Sequence, residues 1–156
     1  FANPLFAVWA RAGLGLLAVL RDNAAAAVEQ YEALQSQGGT MYPMISIDRL
    51  LGLLAHTMGN LDKAAEHFEE ALAFCRKAGY RPELAWTCCD YADCLLDPVG
   101  AALRGRPGHP HRGAPTDPAN RAKAMALLDE ALAISRELGM RPLMERVLSR
   151  REILTA

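Results

Sequence analysis

Residues 63–82 and 123–142 share ten identities in twenty positions. Lys63, Ala64, Glu70, Ala71, Leu72, Ala73, Arg76, Gly79, Arg81 and Pro82 recur as Lys123, Ala124, Glu130, Ala131, Leu132, Ala133, Arg136, Gly139, Arg141 and Pro142. A further copy lies upstream. Moving residues 14–32 along by 37 sets Leu14 on Leu51, Gly15 on Gly52, Ala18 on Ala55, Asn23 on Asn60, Ala27 on Ala64, Glu29 on Glu66, Tyr31 on Phe68 and Glu32 on Glu69. Repetition at this period restricts the chain to folds in which one supersecondary unit is built several times, each copy covering the apolar face of the next.

Each unit reads as two helices. Ala64, Ala65, Phe68, Ala71, Leu72 and Cys75 recur at steps of three and four and so share a helix face, while Lys63, Glu66, Glu69, Glu70, Arg76 and Lys77 fall mostly off it. Asn60 and Asp117 suit N-caps, Pro118 suits a first helical turn, and Gly79 and Gly139 suit left-handed positions that end a helix. Pro82 and Pro142 then fit the opening turn of the following helix. The spacing predicts helices over 4–20, 23–37, 43–58, 60–78, 82–96, 118–138 and 142–154, with no β alternation. Residues 97–117 differ. Pro98, Pro107, Pro110 and Pro115 alternate there with Gly100, Gly105, Gly108 and Gly113, so a long loop is expected, with at most a turn of helix over Val99–Leu103.

Composition narrows the function classes. At 156 residues and 51% hydrophobic, the chain has enough apolar surface for one domain, 1–156. Seventeen basic and eighteen acidic residues leave a net charge of −1, which argues against a general nucleic-acid binder or a polybasic membrane anchor. Arg11 and Arg21 interrupt the longest apolar stretch, so no membrane span is expected. The chain starts at Phe1 without a signal-peptide pattern, and we expect it to be a piece of a larger cytoplasmic protein. Cys75, Cys88, Cys89 and Cys94 lack zinc-site spacing and suit small buried hydrophobes in a reducing compartment; a redox or metal role is the competing reading.

Gly52, Ala64, Phe68 and Ala71 together resemble the small–small–aromatic–small signature of the tetratricopeptide repeat. Gly15, Ala27 and Tyr31 repeat it with Leu34 in the last place, and Ala124, Leu128 and Ala131 repeat it again. The units depart from the family in being 37 residues or longer, in the insertion before the last of them, and in lacking the family's Trp and Tyr. The resemblance implies an all-α, right-handed stack of about three TPR-like hairpins, with 142–154 as a C-terminal capping helix. The final stretch is also similar to the degenerate repeat region at the C-terminus of large bacterial ATPase-containing signalling and transcriptional regulators. No GxxxxGK[ST] phosphate loop accompanies it here.

In that family the first helix of each unit lines the concave side. The register then places Trp9, Leu16 and Val19 from the first unit on a groove, followed by Ser46, Arg49, Leu53 and His56 from the second. Trp86, Asp90, Asp93 and Asp97 form one stripe on the third. An arginine, aromatics and acids suit an extended peptide or a partner helix. Trp86 suits a core position equally well, and the aspartates suit a solvated face. Arg104, Arg106 and Arg112, with His109 and His111, make the long loop a candidate anion contact or lid, or a solvated insertion. Arg141, Arg146, Arg150 and Arg151 stand with Glu145 and Glu152 on the charged face of the cap.

His56 and His67 lack a Ser, Cys or Asp at a helical spacing that would make a triad. We therefore expect no catalytic residues, no cofactor and no metal. The expected function is a non-catalytic module that binds a peptide, protein segment or neighbouring domain. A small-molecule effector-sensing domain is the alternative, and nucleic-acid contact through the loop is a third, weaker one. Phe6, Trp9 and Leu5 at an uncovered end suit self-association. The register is checked by Ala71→Leu and Ala131→Leu. Each should overpack a hairpin and cost about 1–3 kcal/mol in urea unfolding; wild-type stability in either would count against it.

Overall fold

The computed structural model describes residues 4–42, 45–96 and 117–155. Seven α-helices account for most of them: α1 (Pro4–Leu20), α2 (Ala24–Leu34), α3 (Ile47–Thr57), α4 (Leu61–Ala78), α5 (Arg81–Leu96), α6 (Pro118–Glu137) and α7 (Arg141–Thr155). Six of the seven match an expected segment to within about three residues. A 3-10 turn over Gln35–Gln37 completes the second one. The loop with Arg104, Arg106, Arg112, His109 and His111, and Asp97 at its start, lies outside the described residues.

One segment departs from expectation. The helix expected over 43–58 starts only at Ile47, because Met41–Tyr42 (β1) and Ile45–Ser46 (β2) pair antiparallel, with Met41 opposite Ser46. Ser46 ends the hairpin and starts α3, its hydroxyl accepting from Arg49 N–H at 3.1 Å. Strands of two residues are too short to produce a detectable alternation.

The joints repeat as the sequence does. Asn23, Asn60 and Asp117 cap α2, α4 and α6, each side chain accepting a backbone N–H from the first turn. Four turns close with the same backbone bond, from an N–H to the carbonyl five residues earlier: Asn23 to Ala18, Asn60 to Ala55, Tyr80 to Cys75 and Met140 to Ser135, at 2.8–3.0 Å. The preceding residue is left-handed each time: Asp22, Gly59, Gly79 and Gly139. Three glycines adopt this without strain, whereas Asp22 takes it against the Cβ penalty.

Each helix packs on its successor, and α3 also touches α1 and α5. One buried cluster joins α1, α2 and α3 through Ala12, Ala18, Ala27, Leu34, Leu50 and Leu54. Another joins α3 to α7 through Phe68, Leu72, Tyr91, Leu128, Leu132, Leu143 and Val147. Tyr31 and Leu53 pack against both. The small residues of the repeat, Ala27, Ala64, Ala71, Ala124 and Ala131, are wholly buried. The aromatic of the middle copy is clamped: Phe68 stacks on Tyr91 at 5.1 Å with the rings 12° apart. A Cβ on Gly52 would lie 3.0–3.1 Å from three atoms of the Phe68 ring.

Gly52→Ala sets two effects against each other. Removing a helix-interior glycine favours the fold by about 1 kcal/mol. The new methyl collides with a ring that Tyr91 prevents from retreating, an overpacking cost of about 1–3 kcal/mol. Net destabilisation is expected in urea unfolding, with partial recovery when Phe68→Leu is added.

Candidate binding cleft

Helix α5 carries Glu83, Trp86, Asp90 and Asp93 at spacings of three and four, so they form one stripe. The stripe is neither free nor acidic in sum. Arg49 from α3 donates Nη1–H to Glu83 Oε2 at 2.8 Å and Nε–H to Asp90 Oδ2 at 2.7 Å. Arg146 from α7 donates through Nη2 to Asp90 Oδ1 at 2.8 Å and to Asp93 Oδ2 at 2.7 Å. Arg150, one turn on, donates Nε–H to Asp93 Oδ1 at 2.7 Å. Three carboxylates and three guanidiniums therefore alternate across three helices. The Trp86 ring lies between two of them, its centroid 5.6 Å from Arg49 and 5.9 Å from Arg146.

Burial grades along this chain of charges. The Arg49 and Asp90 side chains are 12% and 4% exposed, whereas Arg150 is 43% exposed. Burial works against the charge of Arg49, but Asp90 and Glu83 more than compensate and hold its pKa above the ordinary value. For Glu83 the balance runs the other way. Burial raises its pKa more than Arg49 and the Ser46 N–H, which donates to Oε1 at 2.7 Å, lower it. Its folded-state pKa thus lies above the ordinary glutamate value. The protonated carboxyl favours the fold at pH below the ordinary value, and the contribution is lost as pH rises through the raised one.

The open end of the charge chain borders a cleft of about 560 Å³. Val19 reaches it from α1 and His56 from α3. Asp93 and Leu96 reach it from α5, and Arg146, Arg150 and Ile153 from α7. Of the residues expected on a groove, His56, Asp93 and Val19 line this cleft. Trp86 is half-buried within the charge chain beside it, and Leu53 is half-buried in the core. Ser46 is not on an open face. It is wholly buried, because capping α3 and donating its N–H to Glu83 hold it inside. Asp90 is likewise interior rather than solvated. Trp9 lies elsewhere on α1, edge-to-face with Phe6 at 5.6 Å.

Glu83 had no signal of its own in the sequence. Arg146 and Arg150 had one, an i, i+4 pair of cations matching acids at i, i+3 on α5. They reach across to α5 rather than serving as a solvated cap face.

The cysteines are uniformly interior. Burial pushes the Cys75 thiol up to about 11 and Cys89 to about 12, and raises Cys88 as well. Thiolate is scarce at neutral pH under these conditions, so the Cys75, Cys88 and Cys89 thiols are poor nucleophiles.

Arg49→Ala should leave buried Glu83 without a cation and Asp90 with Arg146 alone, and cost about 3–5 kcal/mol in urea unfolding. Arg150→Ala, at the wet end, should cost less than about 1 kcal/mol. Glu83→Gln should cost less than Arg49→Ala, because the amide oxygen can still accept the Ser46 N–H. Comparisons of the chain with protein-family models, with characterised protein sequences and with solved structures return no match.

Proposed function

We propose that the chain is a binding module without catalysis of its own, a right-handed stack of TPR-like hairpins that takes a peptide or partner helix into its concave cleft. The observation that supports this most is the parentage of the cleft. Its walls come from α1, α3, α5 and α7, every other helix in chain order. That alternation is what stacked hairpins give when their first helices share one side. The resemblance to the repeat regions of large bacterial regulators makes such a regulator, in the cytoplasm, the proposed parent.

The lining selects the ligand's chemistry. Asp90 answers Arg146 from behind, so the exposed end of the charge chain is the Arg150 guanidinium, beside His56 and the apolar Val19, Leu96 and Ile153. A segment with a carboxylate next to aliphatic side chains complements it. The uncovered face of α1, where Phe6, Leu14, Leu17 and Leu20 are exposed, is a second contact surface, suited to another copy of the chain. Among the described residues no helix is long and apolar enough to cross a membrane. One observation favours a small-molecule effector instead: the cleft volume falls within the range of about 300–1,000 Å³ common to such sites.

A peptide library scanned for acidic–aliphatic segments tests the reading. Arg150→Glu and Ile153→Asp should each lower affinity for a selected peptide by about tenfold or more, roughly 1.4 kcal/mol, and leave the melting temperature near wild type. Unchanged affinity in both variants would remove the cleft as the binding site. Saturable binding of a metabolite that protects Arg150 from chemical modification, with no peptide selected, would favour the effector reading.

A further inference from the structure

Away from the cleft, the start of α3 and the middle of α4 bring Asp48, His67 and Glu70 together. Their ligand-capable atoms all lie within 4.8 Å of one another. The three border a hollow of about 520 Å³ that is independent of the charge chain on α5. His67 and Glu70 are neighbours on one helix face, with His67 Nδ1 3.1 Å from Glu70 Oε2. Asp48 arrives from the second position of α3 and is 2% exposed.

Each donor is held by its surroundings. Asp48 Oδ2 accepts the Gly39 N–H at 2.8 Å. Its Oδ1 would lie 2.9 Å from a Cβ on Gly38, so the carboxylate occupies room that only a glycine leaves. His67 Nε2 is 2.8 Å from the Tyr31 hydroxyl, a hydrogen bond that fixes the ring and leaves Nδ1 turned to Glu70. An outer partner on one ring nitrogen with the other turned to a cluster of oxygens is the arrangement that orients a metal-binding imidazole.

Charge supplies a second argument. Glu83, Asp90 and Asp93 are each answered by arginine. The charged groups acting on Asp48 are Glu70 and His67, and Glu70 adds repulsion. Two carboxylates and one imidazole meet here; Lys63, ion-paired with Glu66, adds its charge to Glu70 only through space.

We infer that Asp48, His67 and Glu70 form a mononuclear divalent-cation site, with water or a partner's side chain as fourth ligand. The mixed nitrogen and oxygen donors favour zinc over calcium or magnesium, which prefer oxygen alone. Tetrahedral bonds of about 2.0–2.2 Å put donors about 3.4 Å apart. Exposed Glu70 is the donor free to swing in. The bound ion ties the Gly38–Gly39 turn, α3 and α4 together, a fold-stabilising role that does not depend on what occupies the cleft.

The test is calorimetric titration of chelator-stripped protein with zinc, alongside thermal unfolding. One equivalent should bind and raise the melting temperature, with magnesium and calcium producing neither effect. Cobalt substituted for zinc should give a d–d spectrum of tetrahedral intensity without a thiolate charge-transfer band, which keeps the cysteines out of the account. His67→Gln, Asp48→Asn and Glu70→Gln should each abolish the zinc-induced rise. Tyr31→Phe should weaken binding by about 10- to 100-fold.

In chelator, Asp48→Asn should melt near wild type, since the amide oxygen can still accept the Gly39 N–H. Glu70→Gln, at an exposed position, guards against a result that merely reflects misfolding. Failure of zinc to bind wild type, or undiminished binding in both Glu70→Gln and His67→Gln, would overturn the assignment.

Discussion

The placement of three helices rests on one ring. Phe68 has no side chain opposite it at Gly52 on α3 and a parallel ring against it at Tyr91 on α5. A small residue on one side allows close approach, and an aromatic on the other prevents sliding. Helix α4 is thereby fixed between α3 and α5, and the wholly buried Ala64 and Ala71 let the same surface nest along its length. With that distance set, Arg49 on α3 can span Glu83 and Asp90 on α5 at once. A looser pair of helices would admit water between them and reduce the same residues to ordinary surface ion pairs.

The charge chain does a different job from the apolar core. A buried ion pair seldom adds much net stability, because desolvation offsets most of the attraction. Its geometric demand is nonetheless high. Arg49 must meet two carboxylates on α5 through different nitrogens while the Trp86 ring lies against its guanidinium, and Arg146 from α7 meets Asp90 and Asp93 through the single Nη2 beside the same ring. Helices α3, α5 and α7 can satisfy both sets of bonds in few relative positions. Because exposure rises toward Arg150, the buried end orders the helices and the open end remains available to a ligand. The structural and the proposed binding roles of one network are thus separated along its length.

Two faces of the chain carry chemistry, and they differ in how charge is balanced. Toward α7, acids are matched one for one by arginines. Toward α2 and the short hairpin, Asp48 and Glu70 converge on an imidazole instead. The first arrangement suits a partner that exchanges one ion pair for another. The second suits a small cation that three donors can share.

The repeated helices, their caps and the glycines that end them were legible from residue spacing, because a helix and its termini are local objects. Asn60, Asp117, Gly79 and Gly139 act within a few residues of themselves, and apolar faces follow from a period of 3.6. The close approach at Gly52 and Phe68 was also legible, since its signature recurs in the repeat. The two-residue strands at Met41–Tyr42 and Ile45–Ser46 were not, being shorter than any period.

Nor were the ionic partners. Asp90 and Asp93 on their own helix read as a solvated stripe, and Ser46 as part of an open face. What turned both inward was contact with residues from other helices, Arg49 and Arg146 for the aspartates and Glu83 for Ser46. The grouping of Asp48 with His67 was equally out of reach. Local patterning determined which segments coil and which faces are apolar. Only the packing of those coils decided which charges meet, because a pairing between residues tens of positions apart depends on how helices nest, and no spacing within a single helix encodes it.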